Sequence, residues 1–294
     1  MQKSKLKEKV WLEHIILIIL SLICLLPFLL VVSISFSNEA DIAKKGYSLF
    51  PRIFDLNAYN YVFSNSRQVA NAYIVTIASS VIGTVLSVLI MSMMAYPLSR
   101  RNYRIRSKLS FYLFFTMLFS GGLVPSYILI TKYLHLRDSF WVLVIPGLIV
   151  PFHVFLLRTF FTQIPESVIE SAKIDGCNVW IILFKIVFPQ ATPALATVAL
   201  MGMLARWNDW YTCLLYINKD ELVTLQYLLQ RIMMNVEMMK SNMLNIPEGL
   251  TKTSLPTETM RMAMAVVTTG PIVFVFPFFQ KYFTQGLTVG AVKG

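Results

Sequence analysis

Ile164-Pro165-Glu166-Ser167-Val168-Ile169-Glu170-Ser171-Ala172-Lys173-Ile174-Asp175-Gly176 is a short polar interruption in a chain that is otherwise largely apolar. Proline and an acid stand in the first turn and glycine at the close, which are helix start and stop signals with negative charge where the helix dipole favours it. Ile164, Val168, Ile169, Ala172 and Ile174 recur near helical spacing, so a short amphipathic helix with one apolar face is expected. Gly176 permits a left-handed backbone and a turn into a second segment, 178–188, which ends before Pro189.

Outward from this segment the chain is dominated by apolar runs. Stretches of about 18 or more mostly apolar residues fall at 11–36, 71–97, 109–131, 139–160, 191–217 and 262–283. The 294 residues are 56% hydrophobic and only 14% charged, whereas soluble domains average about 45–50% and 25%. An all-α integral membrane protein with six transmembrane helices is predicted, and a soluble domain is excluded. Lys3, Lys5, Lys7 and Lys9 precede the first run, but that run continues through Pro27 to Phe36 without a small-residue cleavage site, so it reads as a retained helix. Cys24, Cys177 and Cys213 show neither a disulfide framework nor zinc-ligand spacing.

The net charge of +11 points to cytoplasmic loops rather than to a nucleic-acid surface. The linker 99–108 carries Arg100, Arg101, Arg104, Arg106 and Lys108 with no acid, and the N-terminal tail sets four lysines against Glu8. Both are therefore expected in the cytoplasm, together with the C-terminus and the segment 162–190; the loops 37–70, 132–138 and 218–261 then face outward. Pro27, Pro125, Pro146, Pro151, Pro193, Pro271 and Pro277 lie within the spans and predict bent helices around a cavity.

Glu170-Ser171-Ala172, three further residues, Gly176, nine more, and Ile186-Val187-Phe188-Pro189 together resemble the EAA loop of bacterial ABC importer permeases, specifically the carbohydrate-uptake branch. Ser171 stands where that pattern has Ala and Phe188 where it has Leu; both are small changes that leave the spacing intact. The resemblance continues at Trp207-Asn208-Asp209-Trp210 and in the closing stretch Gly286 to Gly294. It implies a type I importer permease fold in the bacterial plasma membrane, both termini cytoplasmic, the whole chain forming one transmembrane permease domain. It further implies a short cytoplasmic helix docked in the cleft of an ATP-hydrolysing subunit, with Glu170, Ser171, Ala172, Asp175, Gly176, Ile186 and Pro189 as coupling residues. The tail from Gly286 to Gly294 is a second candidate contact with the ATPase. The implied partners are a second homologous permease in a heterodimer, two ATPase subunits holding ATP and Mg, and an extracellular solute-binding protein; the chain itself would bind no cofactor and catalyse no reaction. The plainer reading of the same segment is a helix resting on the membrane surface.

The run 191–217 reaches Arg206-Trp207-Asn208-Asp209-Trp210-Tyr211 after about 22 to 30 Å of helix, which places these residues in the outer half. Arg206 and Asp209, three apart, are expected to pair. Rings beside amide and carboxylate groups suit a sugar, so Arg206, Trp207, Asn208, Asp209, Trp210 and Tyr211, with Tyr127 and Ser126 in an earlier span, are candidate pathway residues. An interfacial aromatic belt and a helix-packing pair explain the same residues equally well. In the outer loop, Leu222, Leu225, Leu228, Leu229, Ile232 and Met233 predict a helix. Its neighbours Met234, Met238, Met239 and Met243 read as an adaptable surface for the binding protein rather than a copper site. His14, His135 and His153 are scattered, and no acid/base pair, nucleophile elbow or phosphate loop is present. The expected function is uptake of oligosaccharides or complex glycans. The alternatives are import of a polyol, aminosugar or phosphodiester, or a channel or scaffold without ATP coupling.

Overall fold

The computed structural model describes residues 2–64, 66–244 and 257–291. Among them every regular element is helical, and a single isolated bridge joins Ser37 to Phe54. The chain divides into two compact units: Met1–Val69 with Leu229–Gly270, and Ala70–Leu228 with Pro271–Gly294.

The first unit opens with α1 (Gln2–Ser35), whose 23-residue stretch Glu13–Ser35 is long and apolar enough to cross a bilayer. Leu17, Leu22, Ile23 and Phe28 are exposed along it, as side chains facing lipid would be. Asn38 then caps α2 (Glu39–Lys45): its side-chain oxygen accepts from the N–H groups of Ala40 and Asp41, while its amide donates to Asp55 at 2.8 Å. Phe36 stacks on Phe54 and on Tyr59 of α3 (Asn57–Ser64), with centroids 5.5 and 4.9 Å away. The Glu39 carboxylate accepts from the backbone N–H groups of Glu258 and Thr259 at 3.0 and 2.9 Å and from the Thr259 hydroxyl at 2.8 Å. A carboxylate from α2 thereby caps the opening turn of the long helix Thr257–Ala291. Glu39→Ala is expected to destabilise this unit by about 1–2 kcal/mol, measurable as earlier thermal unfolding of the purified chain; Glu39→Gln should recover part of the loss.

The second unit is built around α4 (Ser66–Ser99), α5 (Arg106–Leu118), α6 (Leu123–Ile128) and α7 (Pro151–Gln163). After them come α8 (Glu166–Ile174), the helical stretch α9 (Val179–Ile181), Ile182–Val187 and α10 (Phe188–Gln190), then α11 (Thr192–Trp207) and α12 (Tyr211–Tyr216). The chain closes with α13 (Leu225–Leu244), the helix that the leucine spacing predicts, which begins after Leu222, and α14 (Thr257–Ala291). Loop residues 245–256 lie outside the described residues, as do Val292, Lys293 and Gly294 of the closing stretch. Met91, Ala95 and Leu98 of α4, Leu157 and Phe161 of α7, Ile169 and Ala172 of α8, and Val198 of α11 form one buried core.

Three apolar runs expected as spans do not run as single helices. The run 109–131 breaks after α5, and the next helical stretch, Leu123–Tyr133, leaves at 111°. Ser120-Gly121-Gly122 causes this: Gly122 has φ +85, and its N–H bonds the Ser120 hydroxyl rather than continuing the ladder. Within 139–160, Phe140–Gly147 meets α7 at 52°, with Pro151 opening α7. Val179–Gln190 meets α11 at 85°, and the run 191–217 is divided again between α11 and α12.

Candidate functional site

α8 and its exit turn follow from local signals. Gly176 adopts φ +78; its N–H bonds the carbonyl of Lys173 at 3.1 Å, and the Cys177 N–H bonds that of Ala172 at 2.9 Å. These two bonds are the Schellman closure of a helix. Ile164, Ile169 and Ala172 are buried in the core, whereas Glu170, Ser171, Asp175 and Gly176 are exposed. Ile186 is half-buried against the same core and Pro189 is exposed just before the bend into α11. Two expectations need correction: Val168 and Ile174 are not on the buried face but 37% and 85% exposed. Ile174, the last residue of α8, has rotated past the core, so the helix ends in an apolar knob between Lys173 and Asp175.

Arg100 fixes the base of this region. Its guanidinium donates to the Phe161 carbonyl at 2.7 Å and lies 5.2 Å above the Tyr96 ring, tying the end of α4 to the end of α7. Burial pushes its pKa below the ordinary value, opposed by Tyr96 and Glu166. A 430 Å³ cavity beside α8 is lined by Tyr96, Arg100, Tyr103, Lys173 and Trp180.

In the other candidate group, the expected Arg206–Asp209 pair gives way to separate partners. α11 stops at Trp207, so the two side chains no longer share a helical face. Arg206 donates to the carbonyls of Gly147 at 2.6 Å and Gly202 at 3.2 Å. Asp209 instead accepts from the Thr212 N–H at 3.0 Å in the first turn of α12. A Cβ built on Gly83 of α4 would lie 2.4 Å from Arg206 Nε, so the guanidinium occupies a slot left by three glycines: Gly83, Gly147 and Gly202. Trp207 is only 3% exposed and packs inside the bundle. Asn208, Trp210 and Tyr211 are exposed, and Asn208 accepts from the Gln226 amide at 3.2 Å. Asn208, Trp210 and Tyr211 are thus exposed, while Arg206 bonds across to Gly147 and Trp207 is buried.

Tyr127 is half-buried and stacks on Tyr216, centroids 5.6 Å apart, beside buried Cys213 and Ile130; Ser126 is exposed and bonds the Gly122 carbonyl. Asp138 holds this rim. Its own N–H bonds the Tyr216 carbonyl, and its carboxylate accepts from the backbone N–H groups of Asn218 and Lys219 and the Asn218 amide. These bonds, the Asn218 N–H first, hold the Asp138 carboxyl below its usual pKa. A depressed folded pKa contributes stability above the unfolded value, about 3.9, and loses it as pH falls through the folded value. The stability gap between the unmodified chain and Asp138→Ala is therefore expected at pH 7 and should close below about pH 4 in thermal unfolding measured across pH.

The family model described as "Binding-protein-dependent transport system inner membrane component" matches residues 89–289. The chain belongs to this family. It is 41% identical over 278 residues to a polygalacturonan/rhamnogalacturonan transport system permease protein of Bacillus subtilis (strain 168), covering 95% of this chain and 96% of that one. It is also 28% identical to an arabinooligosaccharides transport system permease protein of Halalkalibacterium halodurans, covering 97% and 96%. Among solved structures, it matches a chain from a bacterial ABC transporter involved in the import of the acidic polysaccharide alginate, with TM-score 0.80, 30% identity, and coverage of 94% and 97%.

In this inner membrane component the features that sequence reasoning missed are non-local. α4 buries Thr76, Ser80, Thr84 and Ser87 on one side, and Ser87 donates to the Leu148 carbonyl at 2.7 Å. Thr76 accepts from the Leu225 N–H at 2.8 Å, fixing where α13 begins. The spacing 76, 80, 84, 87 is itself a helical period and marks the polar face.

Proposed function

We propose that this chain is one of two membrane subunits of an ATP-driven importer of oligosaccharides, with uronate-bearing glycans as its substrate class. The near full-length 41% identity to the polygalacturonan/rhamnogalacturonan permease carries the reading. The alginate importer supports it, because alginate is an acidic polysaccharide and the galacturonans named for the permease carry uronate units. In this reading the chain spans the membrane six times with both termini and α8 in the cytoplasm, as the basic linker 99–108 favours. A second permease completes the pathway, two ATPase subunits hold ATP and Mg, and an extracellular binding protein delivers the sugar. The chain has no ATPase site of its own. Ile174, Glu170 and Asp175 enter the ATPase cleft, and the core shared by α4, α7, α8 and α11 carries ATPase closure to the pathway as rigid-body motion.

Reconstitution with the cognate partners tests this. ATP hydrolysis should rise several-fold when the binding protein is loaded with oligogalacturonates, and less with neutral oligosaccharides of equal length. Absence of stimulation by any glycan overturns the carbohydrate reading; solute flux without ATP would mark a channel.

A further inference from the structure

We propose that the cavity between the start of α5 and α7 binds the phosphate headgroup of an anionic phospholipid from the inner leaflet. The 450 Å³ space is lined by Arg101, Tyr103, Arg104, Arg106, Ser110 and Arg158 among others, and no carboxylate is among its lining residues. Four arginines thus line one space with no acidic residue among them. Like charges gathered at a membrane boundary repel unless an anion joins them, and the planar fork of arginine matches phosphate oxygens. Arg158 is held at the wall by a 3.1 Å bond to the Ser110 hydroxyl, with the Phe155 ring 6.0 Å from its guanidinium carbon. Those contacts orient its charge without neutralising it. α5 is 13 residues long, and Ile105 just before it offers no side-chain acceptor for its opening turn, so its dipole adds positive potential at the same place.

A soluble anion would be served by the arginines alone; the rest of α5 selects an amphiphile. Phe111, Tyr112, Phe114, Phe115 and Leu118 are exposed, and Leu113 is the buried residue of the helix. From Arg106 to Phe115 the helix rises about 13 Å, roughly the depth from headgroup to upper acyl chain. Basic pockets of this kind between membrane helices suit anionic headgroups. The leaflet assignment rests on the topology proposed above, but the binding can be read on the chain without sugar or ATPase.

The test is native mass spectrometry and lipid titration of the purified full chain in detergent, comparing phosphatidylglycerol with phosphatidylcholine. The unmodified chain should retain phosphatidylglycerol preferentially and unfold at higher temperature in its presence. Arg104→Gln with Arg106→Gln should weaken phosphatidylglycerol binding about 25-fold, near fivefold per basic residue. Arg104→Lys with Arg106→Lys, which keeps the charge and serves as the folding control, should fall between. Millimolar inorganic phosphate should not displace the lipid. Equal retention of the two lipids by the unmodified chain overturns the proposal, whatever the variants do. So does displacement by phosphate, or undiminished binding in the folded glutamine variant. A glutamine variant that keeps its lipid and loses only ATPase association would assign the arginines to an acidic protein surface instead.

Discussion

Gly83→Ala is expected to destabilise the second unit by about 2–5 kcal/mol, although glycine to alanine inside a helix ordinarily stabilises by up to about 1 kcal/mol. The sign reverses because the new methyl would lie 2.4 Å from Arg206 Nε and 2.7 Å from Cδ. The end of the Arg206 side chain must then shift, which strains or breaks its bonds to the carbonyls of Gly147 and Gly202. Each bond to a charged donor contributes about 1.5–3 kcal/mol, so losing both outweighs the gain in propensity. The three glycines should rank by distance: alanine at Gly202, with its nearest contact at 3.2 Å, is milder, and at Gly147, at 3.7 Å, milder still. Thermal unfolding of the purified chain gives the ranking. A double-mutant cycle isolates the cause, since with Arg206→Met in place the alanine at Gly83 should cost little or nothing. Simple additivity of the two changes would refute the slot.

That slot marks the boundary of what sequence reading reaches in this family member. α8, its acidic first turn and its glycine exit were legible because each depends on residues within a few positions of one another. Arg206 was legible as an expensive ion in an apolar run, but its partner was not. The expected Asp209 lies across the end of α11, while the acceptor that matters, Gly147, is 59 residues away. Only the recurrence of glycine within three apolar runs hinted at helices that approach closely. The 111° turn after α5 was lost for a related reason. Hydropathy registers side chains, and Gly121-Gly122 breaks the backbone while contributing almost nothing to hydropathy. Ile174 was misplaced because spacing alone does not say where a nine-residue helix leaves the core it packs against.

Gly176→Val should abolish uptake while leaving the importer assembled. The position has open space: a Cβ there meets nothing within 4 Å. The demand for glycine comes instead from φ +78, which an L-residue adopts at about 1–2 kcal/mol, more if β-branched. Such a penalty is enough to shift the last turn of α8 between two arrangements by about 5- to 30-fold. Freed from its Schellman closure, the end of α8 would no longer present Ile174 and Asp175 in a fixed direction, whereas Ile169 and Ala172 would still anchor the first turns in the core. Asparagine tolerates the left-handed region, so Gly176→Asn should transport nearly as the unmodified chain, Gly176→Ala less, and Gly176→Val scarcely at all. Labelled-sugar uptake into proteoliposomes reports the ranking, and co-purification of the ATPase subunits reports assembly. Undiminished uptake with valine would remove α8 from the coupling path, since no other feature of Gly176 gives it a reason to be glycine. Loss of ATPase association together with uptake would place Gly176 in docking itself rather than in passing motion through a docked helix.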